Sequence, residues 1–223
     1  MNSPPETEKC NIYRVFPTSS NNTSSSIHLE ELMATQSQDS LVKVSSEVVG
    51  CTKCRLCETR RNAVPGEGLE NSRVIFVGEA PGEQEDLQGR PFVGAAGKLL
   101  TELLASVGLR REDVYITNVV KCRPPKNRPP RKDETAECRP YLDRQISLIT
   151  PRIICPMGNS AIHSLMDSDK SVTELHGMPF EIGKVTLFPM YHPAAALYTF
   201  QLRNVMEEDF KQLKRYLNSR GIS

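Results

Sequence analysis

Apolar positions along this chain follow two alternating rhythms. RVIFVG (73–78), VYITNVV (114–120) and RIICPMG (152–158) are short apolar runs closed by polar or glycine-bearing loops, the pattern of strands buried on both faces. Between them, AAGKLLTELLASVGL (95–109) and DETAECRPYLDRQISLI (133–149) repeat their apolar positions at helical spacing, the second with Asp133 as expected N-cap. SAIHSLM predicts a helix after the third strand, PFEIGKVTLFPM (179–190) a hairpin turning at Gly183-Lys184, and MEEDFKQLKRYL a closing amphipathic helix. Leu41, Val44 and Val48 mark a short helix that begins near Ser40 and stops at Gly50. Strand–helix alternation of this kind predicts an α/β fold with a parallel sheet covered on both faces. Such sheets bind ligands outside the carboxyl ends of their strands, and the loops after Val77, Ile116 and Met190 all fall at that edge.

The first 40 residues break the rhythm. They are rich in Ser, Thr, Asn and Pro and hold few large apolar residues, so they predict a disordered tail before a folded domain of 41–217 and a short C-terminal tail, 218–223. No apolar run approaches the roughly 18 residues of a membrane span. MNSPPETEK lacks the charged start and apolar core of a secretory signal, so the expected setting is the cytoplasm, with reduced thiols. The net charge of +1 hides an asymmetry: Arg123, Lys126, Arg128, Arg131 and Lys132 crowd one loop with no acid among them, while Glu79 to Asp86 holds four carboxylates. A locally basic loop on a near-neutral chain predicts contact with a polyanion at one face.

The cysteines carry the sharpest chemistry. Cys51 and Cys54 form a C-x-x-C, and Cys122 and Cys138 flank the basic loop far away in sequence. Two such pairs converging on one centre suit zinc or an iron–sulfur cluster, which spacing does not separate. Cys57 follows at another x-x spacing and competes as a ligand, whereas Cys155 sits mid-strand as an ordinary core residue and Cys10 lies in the tail.

Polar residues at strand ends come next. Gly78, Pro81 and Gly82 in GEAPGEQED make a tight turn that brings backbone N–H groups close to a ligand. Neither G-x-x-x-x-G-K-[ST] nor G-x-G-x-x-G is present there. Phe92, among the glycines of GRPFVGAAG, is either a stacking platform for a flat ligand or an anchor for its loop. Asn118 ends YITN, where an amide offers the donor and acceptor together that read a nucleobase edge, or simply caps the loop. His192, before Pro193 at a predicted strand end, aims an imidazole at developing negative charge, while His28, His163 and His176 read as structural or solvated.

In order and approximate spacing, CTKC, GEAPGEQED, GRPFVG, YITNVVKCRPPKNRPP, Cys138 and HPAA resemble the iron–sulfur (family 4) uracil-DNA glycosylases, over about Gly50 to Leu217. The resemblance implies a three-layer α/β/α sandwich around a four-stranded parallel sheet, and a [4Fe-4S] cluster on Cys51, Cys54, Cys122 and Cys138. It implies a monomer that extrudes uracil from single- or double-stranded DNA into a pocket and hydrolyses its glycosidic bond. Phe92 would stack on the base, Asn118 would read its edge beside Gly78, and His192 with the backbone near Glu79 and Ala80 would stabilise the departing anion. Glu85 matches the position proposed to crowd a thymine methyl, against a plain reading as a solvated loop charge. The basic loop and Leu197, which closes HPAAAL, would contact DNA. Ala80 stands where other branches place a water-activating Asp or Asn, and the loop after Asn118 lacks the nucleophilic His of cross-linking relatives. A non-catalytic, polymerase-associated iron–sulfur module and a redox sensor are the competing classes.

Overall fold

The computed structural model describes residues 39–166 and 168–222, so the expected tail, apart from Asp39 and Ser40, lies outside the described residues. Six strands form one sheet in the order β1-β3-β2-β4-β6-β5, where β1 is Glu67–Gly68, β2 Val74–Gly78, β3 Tyr115–Asn118, β4 Ile153–Pro156, β5 Phe180–Ile182 and β6 Val185–Leu187. The four central strands are parallel, as expected, and β1 and β5 add antiparallel edges. The edge at β5 is the hairpin turning at Gly183-Lys184. The edge at β1 has no sequence rhythm: it is two residues long, and Gly68 is there because a Cβ would meet the Val114 carbonyl oxygen at 1.9 Å.

Side-chain alternation along the strands builds the layers. Ile75, Val77 and Ile154 point to one face, where α1 (Leu41–Val49), α4 (Lys132–Ile149) and α5 (Asn159–Leu165) cover them. Val74, Phe76 and Ile153 point to the other, beneath α3 (Ala95–Ser106) and α8 (Gln201–Ser219), with Phe210 of α8 stacked on Phe76 at 5.8 Å. The result is the expected three-layer sandwich. Truncating Leu100 or Leu213, both fully enclosed, would cost about 2–5 kcal/mol through lost transfer energy and the cavity left behind.

Ser40 caps α1 through its side chain, as its position suggests. Asp133 does not cap α4. That helix starts at Lys132 with Arg131 as N-cap, and the Glu134 carboxylate accepts from the Arg131 N–H at 2.8 Å, taking one of the first turn's unpaired donors. Three further short helices, α2 (Glu83–Gln88), α6 (Val172–Leu175) and α7 (Pro193–Tyr198), lie in stretches that the periodicity passes over. No helix among the described residues is long and apolar enough to cross a membrane.

Candidate nucleobase pocket and cysteine site

Asn118 ends β3 directly beside Gly78, the last residue of β2. Its amide is buried, and neither Nδ2 nor Oδ1 has a hydrogen-bond partner. Buried polar atoms are normally paired, because leaving one unsatisfied costs about 1–3 kcal/mol. An orphaned amide facing an open cavity is therefore a docking point. The cavity holds about 430 Å³, and Glu79, Ala80, Gly82, Glu85, Phe92 and His192 contribute to its walls.

Gly78 makes this juxtaposition possible. A Cβ there would lie 2.4 Å from Asn118 Oδ1 and 2.6 Å from Phe92 Cζ, so only glycine lets amide and ring close over the strand end. Phe92 itself has φ 51°, an uncommon conformation for a residue with a Cβ. Its neighbours hold it there. Glu85 Oε1 accepts from the N–H groups of Val93 at 2.9 Å and Gly94 at 2.8 Å, and Arg111 Nη1 donates to the Phe92 carbonyl at 3.0 Å. Glu85 is thus not a solvated loop charge: its carboxylate fixes the loop that presents the ring, while the residue still lines the cavity.

His192 ends the polypeptide that leaves β6 and caps α7, with its ring 5.4 Å from that of Phe92. Nδ1 accepts the Ala194 N–H at 3.2 Å, which puts the proton of the neutral ring on Nε2. Burial pushes the imidazole down to about 4, against a smaller upward pull from Glu85. A neutral donor is what this environment selects. Burial also raises the Glu79 carboxyl, opposed by a bond from Ser160.

Behind the sheet edge, a second pocket is lined by Cys51, Cys54, Cys57, Cys122 and Cys138. Arg60 Nη1 donates to Cys122 Sγ at 2.9 Å and the Lys121 N–H to Cys138 Sγ at 3.2 Å. Burial pushes the thiols of Cys54 and Cys122 up and that of Cys138 to about 11. Among the described residues no three metal-binding side chains gather around a point suited to one ion. Iron–sulfur clusters are held by Cys thiolates and tuned by hydrogen bonds to sulfur, and this lining offers five cysteines, two of them with N–H donors.

The basic loop divides. Lys126, Arg131 and Lys132 are exposed, and Arg123 is half-buried with Nε bonded to Asn127 Oδ1 at 2.8 Å. Arg128 is not a free phosphate ligand. Its guanidinium forks onto the buried Glu134 carboxylate at 2.8 and 2.6 Å, which holds that acid at about 2. Leu197 on α7 is exposed, beside Tyr198 at the cavity wall. The sequence reading missed Asn127 and Ser160, which also line the cavity. Ser160 follows Met157-Gly158 at the end of β4, another carboxyl edge of the sheet, and that position was its signal.

This α/β chain, with an unpaired amide, an aromatic ring and an imidazole at the carboxyl edge of its parallel central strands, is an enzyme of the uracil DNA glycosylase superfamily, whose sequence profile matches residues 65–217. Type-4 uracil-DNA glycosylases of Sulfurisphaera tokodaii (52% identical, covering 79% of this chain and 84% of the relative) and Archaeoglobus fulgidus (50%, covering 78% and 92%) are among its relatives. That of Thermotoga maritima is 46% identical, over 80% of this chain and 95% of the relative. The chain belongs to the type-4 uracil-DNA glycosylase family.

Proposed function

We propose that this chain removes uracil from DNA by hydrolysing the N-glycosidic bond, leaving an abasic site. The observation that carries the reading is the orphaned Asn118 amide, buried beside Gly78 and lining the cavity with Phe92. Uracil presents an N3–H donor and an O4 acceptor side by side, which one amide matches. Cytosine presents the reverse pattern, and an amide held with Oδ1 towards N3–H would be left unpaired by it, a penalty on the order of several kcal/mol. Phe92 stacks on the flipped base, an interaction of about 1–3 kcal/mol.

Breaking the C1′–N1 bond leaves its electron pair on uracil and cationic character on the sugar. The Nε2–H of His192 stabilises the uracil anion, at about 2.7–4 kcal/mol for one preorganised donor. Backbone N–H groups near Glu79 and Ala80 add to it. No carboxylate follows Glu79, so water adds to C1′ late and its proton passes to solvent. Lys126, Arg131, Lys132 and Arg123 hold phosphates without reading sequence, and Leu197 enters the space that the base vacates. Cys51, Cys54, Cys122 and Cys138 hold a [4Fe-4S] cluster, with Cys57 beside it. Phe92, Asn118 and His192 gathered at one cavity support an enzyme over a dead DNA-binding module, and the two segments that the bound cluster would staple suit a structural centre better than a redox sensor. The same reading has the chain act as a monomer, in the cytoplasm. Incubating the purified protein with a uracil-containing oligonucleotide and scoring alkali-labile sites tests the reading. Intact strands at equimolar enzyme would sink it.

A further inference from the structure

Lys121 is among the largest fully buried side chains of the protein, and the mechanism above does not use it. Its Nζ lies 2.6 Å from Thr117 Oγ1, 2.7 Å from the Asn118 carbonyl oxygen and 2.7 Å from Gln145 Oε1. Three acceptors meet the three donors of an ammonium group, so its hydrogen bonding is complete without water. The backbone N–H of the same residue donates to Cys138 Sγ. Lys121 therefore touches the carbonyl of the base-reading residue with one end and a cysteine of the second pocket with the other.

Burying an ammonium costs several kcal/mol unless something recovers it, and an apolar residue would fill this space more cheaply. The Asn118 side chain has no partner of its own, so its direction is set through the backbone. The Gly78 register and the Val119 N–H on the Gly78 carbonyl hold one side of that peptide. Lys121 holds the other.

We propose that Lys121 is a positioning residue for Asn118, fixing the strand end so that the unpaired amide faces the base; this rests on the uracil-excision reading. The Lys121 N–H on Cys138 anchors the bracket to the cysteine pocket. The cysteine centre and the specificity pocket are then joined through one side chain.

The test uses the holoprotein. Lys121→Met keeps the backbone N–H and the length of the side chain but lacks the donors. It should retain the visible iron–sulfur absorbance while single-turnover excision of uracil falls roughly a hundredfold, the loss that a small misplacement of a reacting partner brings. Binding of free uracil, followed by ligand NMR, should weaken in parallel. Because Lys121 acts through Asn118, the double variant Lys121→Met, Asn118→Ala should be no slower than Asn118→Ala alone. Wild-type excision by Lys121→Met, or losses that multiply in the double variant, would overturn the proposal. If Lys121→Met does not yield soluble protein, Thr117→Val removes one of the three acceptors, and the same cycle with Asn118→Ala decides. A wild-type protein that binds uracil but does not cut would remove the activity reading, and the uracil affinities would still test Lys121.

Discussion

The two pockets of this protein treat their polar groups in opposite ways. Around the cysteines two sulfurs are already supplied with donors: Arg60 reaches Cys122, and the Lys121 N–H reaches Cys138. In the base pocket the buried Asn118 amide has no partner, and the half-buried His192 uses only Nδ1, for the Ala194 N–H. A site whose polar groups are held by the fold keeps a shape. One that leaves buried groups unpaired stores a penalty that only the right ligand removes. On the proposed reading the first stabilises the fold and the second recognises and reacts, so the second can be damaged without the first.

The largest expected effect lies on the structural side. Cys138→Ser should abolish the visible absorbance and most of the soluble yield, because on the proposed ligand set the cluster would tie Cys138 on α4 and Cys122 after β3 to Cys51 and Cys54. Cys57→Ser should keep both. Metal analysis and visible spectra of the purified variants check this. A colourless zinc protein with full activity, or bleaching by Cys57→Ser, would redraw the ligand set.

His192→Ala should break the reactive side alone. Single-turnover excision should fall by roughly a hundredfold or more, the loss of one preorganised donor. Affinity for uracil-containing DNA should barely move. Equal losses in rate and binding would make His192 a structural residue and erase the contrast between the pockets.

Much of this contrast was legible in the sequence, and the reasons are physical. The central strands, the α3 and α8 helices and the hairpin at Gly183-Lys184 follow from apolar rhythm and turn chemistry, which are local. The strand β1 was not legible, because a two-residue edge is created by its neighbour and by glycines at φ of 132° and 130°. The sequence showed Arg128 as one more cation in a basic loop. Its pairing with Glu134 depends on how α4 begins, one residue before the N-cap that Asp133 suggested. Lys121 gave no signal at all. A lysine in KCRPP looks like part of the basic loop until the fold buries it beside Thr117 and Gln145.

Asn118→Asp should sharpen the reading of the base pocket. The carboxylate loses the amide donor and accepts from cytosine's amino group, so uracil excision should drop and cytosine should gain relative to it. Rates on matched uracil and cytosine oligonucleotides decide. A variant with wild-type uracil excision and unchanged rejection of cytosine would mean that the amide does not read the base.

Acidification probes the same pocket more gently. His192 titrates at about 4 in the fold, below its ordinary 6.5. As pH falls from 6.5 towards 4 the unfolded chain takes up this proton first, so stability contributed above that window is lost across it. Urea midpoints at pH 7 and pH 5 should differ less in His192→Gln than in the wild type. An identical pH slope in both would mean that the imidazole is not held neutral.

The smallest effect belongs to the basic loop, where Lys126, Arg131 and Lys132 line neither pocket and Arg128 reaches the base cavity. Lys126, Arg131 and Lys132 are exposed, whereas the Arg128 guanidinium is committed to Glu134. Each phosphate contact releases counterions, so losing one lowers the slope of log affinity against log salt by about 0.7–0.9. Lys126→Ala, Arg131→Ala and Lys132→Ala should each flatten that slope by about this amount and leave saturated single-turnover chemistry intact. Arg128→Ala should instead leave the slope nearly unchanged and lower the unfolding midpoint, because Glu134 would remain buried without its bidentate partner. Binding titrations at several salt concentrations, beside denaturation curves, separate the two outcomes. If Arg128→Ala flattened the slope as Lys126→Ala does and left stability alone, the ion pair with Glu134 would open in the DNA complex, and the whole loop would act as one phosphate-binding surface.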